Sequence, residues 1–325
     1  MWRQPQSEEN GAQRSFLSLP GGVGGGEPGR NEKAQRLGRG WDGTMKLMTL
    51  NTHSLAEPEY ERKLAVFAQV AARNMPDVIA LQEVNQTISQ PEAKVDADLG
   101  YVHCPGNDVP LRKDNHGLAL ARLLKEKGCE YYWTWAPAKV GYDIYEEGLA
   151  VFSRRPVEKA VQFFISRSHD FHNWKTRKMV GVKAGGMWFY SVHMGWWEDE
   201  EEPFASHWDR VAHEIDAHRT ANETVWVMGD FNSPAGITGE GWDYVRASGW
   251  KDTYDLAKEK DGGITVGKVI DGWKERLKDN AGGMRIDYIW CNEEIDIDKS
   301  EIICNGIHDE VVSDHFGVMI TKKER

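Results

Sequence analysis

The sequence predicts a layered α/β fold in which two packed β-sheets carry helices on their outer sides. Short apolar runs of strand length outnumber the amphipathic helical stretches, and the helical stretches fall between groups of strands. The chain has 325 residues, of which 40% are hydrophobic, and this is enough for a sizeable core. We find no internal repeat in the sequence.

The first half of the chain alternates predicted strands with two predicted helices. The amphipathic helix over 59–74 has Leu64, Phe67 and Val70 on one face, and Pro76 follows its end. A second helix is predicted over 116–128, where Gly128 closes it. Apolar or alternating runs predict the strands of this half, which cover residues 45–54, 77–84, 130–137, 148–153 and 158–166.

The second half begins with a predicted hairpin over 177–194 that turns at Gly185 and Gly186. A helix over 203–218 follows, because its large apolar residues recur at steps of three and four. The segment 233–284 is irregular and rich in Gly and Trp, and we expect long surface loops there. The remaining strands are predicted over 224–230, 285–290, 295–303 and 311–320.

Residues 1–44 differ in composition from the rest of the chain. They include GGVGGGEPG and only scattered apolar residues, which cannot offset the entropy of ordering the segment. We therefore expect a disordered N-terminal tail, with the catalytic domain covering residues 45–325.

Charge and cysteine content exclude several functional classes. The net charge of −11 and the pI near 5.5 give no overall sign of a protein that grips long nucleic acid, although a local basic patch remains possible. The four cysteines lie too far apart for a zinc or redox motif, so we expect free buried thiols. With no signal peptide or membrane span apparent, the sequence indicates a soluble cytoplasmic protein without a membrane or an obligate protein partner.

Several apolar runs contain, or are directly followed by, polar side chains that a hydrophobic core would not accommodate. Each of these residues alone also fits an ordinary role, such as a turn cap, a buried histidine or an ion pair between Asp287 and Arg285. Together they offer oxygen ligands and two imidazoles, and buried carboxylates are costly unless a cation pairs with them. The residues are Asn51, Glu83, His193, Asp230, Asn232, Asp287, Asp314 and His315.

This donor set favours a hard divalent cation. Carboxylate and amide oxygens are the ligands that Mg²⁺ and Mn²⁺ prefer, and these ions keep positions open for a substrate phosphate. Because the sequence has neither a cysteine cluster nor an HExxH motif, zinc is less favoured. Mg²⁺ is the expected cofactor, with Mn²⁺ as the alternative.

Seven segments in this order resemble the endonuclease/exonuclease/phosphatase superfamily, the DNase I-like fold. They are LNTHS, ALQEV, EEGLAVFSR, SVHMG, GDFNS, RIDYI and SDHFG, and they extend from Met45 to the C-terminal region. The resemblance implies a four-layer α/β sandwich with two mainly antiparallel sheets, a divalent-metal site at one sheet edge, and hydrolysis of a phosphate ester. The longer stretches of sequence around these motifs are also similar to a group of bacterial cytoplasmic proteins that includes maltose 6′-phosphate phosphatase.

The resemblance implies a role for each matching position. Glu83, Asn51 and Asp314 would be metal ligands, while Asp230 and Asn232 would contact the phosphate, the attacking water or a second metal. His315, oriented by Asp287, would be the general base, although Asp230 remains an alternative for that role. His193, oriented by Glu147, would be the general acid.

Two substrate classes stay open, and the first is a small phosphorylated sugar. The acidic composition and the tryptophans near the expected site favour it, with Trp196, Trp197, Trp273 and Arg177 as candidate substrate-binding residues. The second class is nucleic acid, since a nuclease would use the same metal and histidine set. A non-catalytic binding module is a third reading that the complete motif set disfavours.

Overall fold

The computed structural model describes residues 43–219, 222–267 and 282–323. The predicted tail lies almost entirely outside these ranges, and the first strand begins at Thr44. In the described ranges, no helix is both long enough and apolar enough to cross a membrane. The four cysteines there are buried and unpaired with one another, as the sequence predicts.

The described residues contain thirteen β-strands and five α-helices. The strands, in chain order, are β1 (Thr44–Asn51), β2 (Val78–Thr87), β3 (Tyr132–Gly141), β4 (Tyr145–Ser153), β5 (Val157–Phe164), β6 (Lys178–Ala184), β7 (Met187–His193), β8 (Val225–Asp230), β9 (Lys251–Asp252), β10 (Ala257–Lys260), β11 (Asp287–Cys291), β12 (Ile297–Ile303) and β13 (Gly317–Lys323). The helices are α1 (Tyr60–Asn74), α2 (His116–Glu126), α3 (Phe204–His218), α4 (Gly241–Ala247) and α5 (Thr253–Leu256).

The strands form two sheets that are mixed but mostly antiparallel. The first sheet has the order β10-β12-β13-β1-β2-β4-β3, and the second has the order β5-β6-β7-β8-β11-β9. Parallel pairing is limited to β1 with β2, β10 with β12, and β7 with β8. The predicted pair of mainly antiparallel sheets is therefore confirmed.

Strand β1 shows how the sequence sorts its residues between the layers. Met45 and Leu47 point into the apolar core between the two sheets, whereas Met48 and Leu50 pack with α1 and α2 on the outer face. Side chains alternate across a strand, so the buried run needs apolar residues on both faces. Helix α3 covers the outer face of the second sheet with Phe204, Trp208, Val211 and Ile215. The order is helices, sheet, sheet and helix, which is the predicted four-layer sandwich.

A small polar layer joins the two sheets beneath one edge. The Gln82 side chain donates from Nε2 to Ser191 Oγ at 2.9 Å, and Ser191 Oγ donates to the Leu81 carbonyl at 2.8 Å. Gln82 lies on β2 of the first sheet and Ser191 on β7 of the second. Because buried polar groups must find partners, these bonds fix how the two sheets align at this edge.

Two predictions about elements are corrected by the structure. The strand predicted over 311–320 begins only at Gly317, so Asp314 and His315 precede a strand instead of ending one. The segment predicted as loops over 233–284 contains α4, β9, α5 and β10 in its described part. Short elements of two to seven residues are too brief to show a clear period in the sequence.

Candidate active site

The polar residues predicted at strand termini meet at one edge of the two packed sheets. Parallel strands β1 and β2 end there, as do β7 and β8 of the other sheet. Strand β11 runs antiparallel to β8, and β13 runs antiparallel to β1, so their first residues reach the same edge. Asp287 begins β11 and lies directly opposite Asp230, the last residue of β8. Strand direction therefore explains why residues before and after strands converge.

Glu83 reaches this edge because β2 is irregular at that point. Its backbone has a positive φ of 52°, and the pairing of β2 with β4 shifts register between Leu81 and Val84. A bulge re-aims a side chain that regular pleating would direct elsewhere. The Glu83 carboxylate then accepts a hydrogen bond from Asn51 Nδ2 at 2.9 Å.

Asp230 lies at the centre of the group. Its Oδ2 accepts a hydrogen bond from Asn51 Nδ2 at 3.1 Å and lies 3.5 Å from His193 Nε2 and 3.8 Å from His315 Nε2. Burial raises the pKa of Asp230 to about 7, although the charge of His315 opposes that shift. The carboxyl group of Asp230 can therefore gain or lose a proton close to neutral pH.

His315 and Asp287 form a buried pair. His315 Nδ1 lies 2.9 Å from Asp287 Oδ2, and the backbone N–H of Asp287 donates to Thr265 Oγ1 at 3.2 Å. Burial by itself lowers the pKa of His315, but the carboxylates of Asp287 and Asp230 outweigh it and raise the pKa well above its ordinary value. The predicted contact between Asp287 and His315 is present, and it leaves Nε2 directed toward Asp230.

His193 is the last residue of β7, and its side chain also lies close to Asp230. Its Nδ1 lies 4.0 Å from both Glu147 Oε1 and Glu83 Oε1, which is longer than a hydrogen bond. Burial lowers the pKa of His193 well below its ordinary value, and the charges of Arg177 and Lys139 add to that effect. Glu147 is instead paired with Lys139 Nζ at 3.1 Å, so the expected contact with His193 is loose.

Asn232 adopts a left-handed backbone, with φ of 46°, directly after β8. Asparagine tolerates this conformation better than most residues. Its backbone N–H donates to Asp230 Oδ1 at 2.8 Å, and its side chain donates from Nδ2 to the Met194 carbonyl at 3.0 Å. The bend after β8 thus holds Asp230 and Asn232 side by side.

The side chains that are present fit a divalent cation. Burial raises the pKa of Glu83, and the nearby carboxylates of Glu147 and Asp314 raise it further. Such mutual repulsion is relieved by a cation, and the available donors are the oxygen atoms that Mg²⁺ or Mn²⁺ prefers. Two compact sets of possible ligands lie in the described residues: His53, Glu57 and Asp314, and Asp230, Asp287 and His315.

His53 was not predicted from the sequence as part of the site. It has a left-handed backbone with φ of 47°, its Nδ1 lies 2.8 Å from Glu57 Oε1, and Asp314 donates its backbone N–H to the same oxygen at 3.1 Å. Burial would lower the pKa of His53, but Glu57 and the nearby carboxylates raise it to about 9. The only available signal was the His in LNTHS, which an isolated sequence cannot separate from a turn residue.

The four predicted substrate-binding residues lie in different places relative to the cavity. Arg177 and Trp196 line the cavity at the site. Trp197 does not, since it packs beside Phe204 and Tyr244 at the edge of the α3 core. Trp273 lies outside the described residues. A role of Trp197 in substrate binding therefore stays a prediction that its position outside the cavity lining does not favour.

One cavity of about 700 Å³ contains this whole arrangement. Its inner part is formed by the predicted groups, and its outer part by side chains from loops of both sheets. Volumes of roughly 300–1,000 Å³ are typical of small-molecule sites. The cavity lining comprises His53, Glu83, Lys139, Val140, Gly141, Tyr142, Asp143, Glu147, His172, Trp174, Arg177, His193, Trp196, Asp230, Asn232, Asp314 and His315.

Solved structures of other proteins share this fold. An endonuclease/exonuclease/phosphatase family protein from Leptotrichia buccalis aligns with a TM-score of 0.74 at 29% identity, over 86% of this chain and 100% of that one. A mannosyl-6-phosphatase from Bacteroides thetaiotaomicron aligns with a TM-score of 0.56 at 14% identity, over 85% and 98%. Truncated TDP2 from Caenorhabditis elegans aligns with a TM-score of 0.52 at 17% identity, over 86% and 98%.

Sequence comparison gives the same assignment. No curated protein matches this chain. The sequence profile of the endonuclease/exonuclease/phosphatase family matches residues 48–315, which include every strand from β2 to β12 and all the polar residues that converge at the sheet edge. This protein therefore belongs to the endonuclease/exonuclease/phosphatase family, whose members are hydrolases that act on phosphate esters.

Proposed function

We propose that this protein is a Mg²⁺- or Mn²⁺-dependent phosphatase that releases phosphate from a small phosphorylated sugar. Family membership supports the hydrolysis of a phosphate ester, and the converging carboxylates support the cation. The choice of a phosphomonoester over a nucleic-acid phosphodiester depends on one observation, the burial and hydrogen bonding of the Arg177 side chain.

Arg177 is a buried cation in the wall of the cavity. Its side chain is 3% exposed, and its hydrogen bonds go to backbone carbonyls, from Nη1 to Trp174 at 3.0 Å and from Nε to Met194 at 3.3 Å. In the part of the chain that the structure describes, no carboxylate forms an ion pair with it. Burial lowers the pKa of Arg177, although the charges of Glu147, Asp230, Glu83 and Asp199 oppose that shift. An anion in the adjoining cavity would complete this environment.

The charge of that anion distinguishes the two substrate classes. A phosphomonoester carries about −1.5 to −2 near neutral pH, whereas a phosphodiester carries one negative charge. Arg177 and Lys139 both line the cavity, and a bound divalent cation would add further positive charge. Because Nε and Nη1 of Arg177 donate to backbone carbonyls, Nη2 is the group that remains to bind a phosphate oxygen. These features favour the dianionic monoester.

The remaining groups fit the proton transfers of hydrolysis. A divalent cation bound by the carboxylates would neutralise charge on the phosphate. Asp230 and His315 lie 3.8 Å apart and together hold or release a proton near neutral pH, so this pair is suited to accept the proton of the attacking water. Burial lowers the pKa of His193 in the free site, and a phosphate beside it would raise that pKa and favour a protonated imidazole that can donate to the leaving oxygen.

A sugar as the leaving group is supported by the cavity and by one structural relative. The cavity volume of about 700 Å³ leaves room for much more than a phosphate, and Trp196 offers an aromatic face in its wall. A Bacteroides protein with the same fold is described as a mannosyl-6-phosphatase. The net charge of −11 speaks against extended contact with nucleic acid.

A phosphodiesterase acting on nucleic acid is the alternative, since the same inner groups serve that reaction. The test is phosphate release from a panel of sugar phosphates with Mg²⁺, alongside plasmid nicking at low salt. We expect phosphate release from one or more sugar phosphates and loss of that release on chelation. Plasmid nicking that disappears in Asp230→Ala, without phosphate release from any sugar phosphate, would favour the nuclease.

A further inference from the structure

Two exposed aromatic side chains line the outer part of the cavity. Trp174 is 53% exposed and Tyr142 is 57% exposed. No other Trp, Tyr or Phe among the described residues exposes more than half of its side chain. Large aromatic groups are usually buried, so two exposed rings in one cavity indicate a surface that a ligand covers.

The two rings come from different sheets. Tyr142 lies in the turn between β3 and β4 of the first sheet, whereas Trp174 lies in the loop between β5 and β6 of the second. A backbone hydrogen bond joins these two connections, from the Val140 N–H to the Phe171 carbonyl at 2.7 Å. This bond fixes the position of one connection relative to the other at the mouth of the cavity.

Each ring is also supported from behind. Trp174 meets Trp196 edge-on, with ring centroids 5.8 Å apart. Tyr142 packs against Tyr145 and His53 in the same manner, at 6.5 Å and 6.4 Å. Pre-positioned aromatic surfaces lose little entropy when a ligand binds. These contacts make the two rings a formed surface instead of a pair of free side chains.

We propose that Trp174 and Tyr142 form the subsite for the leaving group, and that this group is ring-shaped with an apolar face, as a sugar is. The inference rests on the proposed phosphatase function and extends it to the residues that select the leaving group. His172 and Asp143 line the cavity beside the two rings and offer polar contacts for the hydroxyl groups of a sugar.

A direct connection links this subsite to the phosphate position. Arg177 Nη1 donates to the carbonyl of Trp174 at 3.0 Å, so the arginine that would hold the phosphate also fixes the loop that presents the ring. The two residues are three positions apart in the chain. A substrate that carries both a terminal phosphate and a ring would use both contacts at once, whereas glycerol phosphate would use only the first.

The experiment compares glycerol phosphate, glucose 6-phosphate and a disaccharide phosphate as substrates for the full chain with Mg²⁺. The variants are Trp174→Ala, Tyr142→Ala and Trp174→Phe, with Tyr132→Ala as the matched control. Tyr132 is 38% exposed on β3 and does not line the cavity. The alanine variants keep the Trp174 backbone carbonyl that Arg177 uses, so the phosphate position is preserved.

We expect kcat/KM for the two sugar phosphates to fall about tenfold more than kcat/KM for glycerol phosphate in each alanine variant, which is the scale of one aromatic contact. Trp174→Phe should restore most of the loss, and Tyr132→Ala should leave the ratio between substrates unchanged. Equal losses on all three substrates, or no loss on any, would overturn the subsite. If the wild-type protein releases phosphate from none of them, the proposed function fails with it, and the two failures are thereby distinguished.

Discussion

The inner and outer parts of the cavity are built in different ways. The inner part is lined by Glu83, Asp230 and His315, which hydrogen bonds from Asn51 and the contact with Asp287 hold in place. The outer part is formed by exposed residues on loops, among them Tyr142 and Trp174. In our proposal, the groups at the sheet edge act on the phosphate ester, while the loops select the molecule that carries it.

The largest effect should come from a proton-transfer group of the inner part. His315→Ala should lower kcat by roughly 10²–10⁴-fold, because a positioned proton-transfer group contributes about that much. The loss should be equal for substrates with and without a ring. Steady-state kinetics on the three phosphates measure it, with the exposed His213→Ala on α3 as control. A kcat within a few-fold of wild type would remove His315 from the reaction.

In the inner part of the cavity, ionisation of the buried Asp230 carboxyl group should lower the free energy of unfolding. The outer part has no such buried carboxylate among its two aromatic residues. The pKa of Asp230 is raised from 3.8 to about 7, so without divalent cation the folded state binds the extra proton and loses stability as pH rises from about 4 to 7. Asp230→Asn should therefore be more stable than wild type at pH 8 in chelator, by up to about 4 kcal/mol at about 1.4 kcal/mol per pKa unit.

Denaturant unfolding at pH 8 and at pH 4 measures this difference. The difference in the free energy of unfolding between Asp230→Asn and wild type should fall below about 1 kcal/mol at pH 4, where Asp230 is protonated in the folded state and about half protonated in the unfolded state. A variant that is less stable than wild type at pH 8 would show that the carboxylate is not strained. Saturating Mg²⁺ should also reduce the difference in the free energy of unfolding between Asp230→Asn and wild type, since Mg²⁺ binds only the carboxylates of the native state.

Loss of one carboxylate from the predicted metal site should change the cation requirement. Glu83→Gln should raise the Mg²⁺ concentration for half-maximal activity at least tenfold, because loss of even an outer partner of a metal ligand costs roughly 10–100-fold in affinity. A Mg²⁺ titration of phosphate release measures it, and the exposed Glu61→Gln on α1 serves as control. An unchanged titration would remove Glu83 from the cation site.

The smallest effect should be on stability at the outer part. Trp174→Ala should change the free energy of unfolding by less than about 0.5 kcal/mol, as surface substitutions usually do. The fully buried Trp208→Ala should cost about 3–5 kcal/mol in the same experiment. A loss of more than about 2 kcal/mol in Trp174→Ala would show that the ring holds the fold together.

The inner part was largely predictable because its signal is local. A polar residue at the end of an apolar run is visible in one sequence, and strand direction then brings such residues together. The strand predicted over 311–320 contains Asp314 and His315, although these residues precede β13, because periodicity does not show where a short strand begins. The bulge that turns Glu83 toward the site left no sign, since it arises from the pairing of β2 with β4.

The outer part could not be predicted for a physical reason. Tyr142 and Trp174 lie in loops, where no periodicity assigns a face to a side chain, and both are distant in sequence from the inner groups. Trp197 was chosen because it follows His193 closely, yet it packs with Phe204 and Tyr244. Proximity along the chain is a poor guide where the backbone leaves a strand.

Our central proposal is that the buried Arg177, which forms no ion pair with a carboxylate in the described residues, makes this site select a phosphomonoester. The most direct measurement compares kcat/KM for p-nitrophenyl phosphate with that for bis-p-nitrophenyl phosphate, in the wild type, Arg177→Gln and Arg177→Lys. We predict a clear monoester preference in the wild type that falls at least about tenfold in Arg177→Gln, the scale of a hydrogen bond to a charged group. Arg177→Lys should retain part of it. A wild-type preference for the diester, or a ratio that Arg177→Gln leaves unchanged, would contradict the claim.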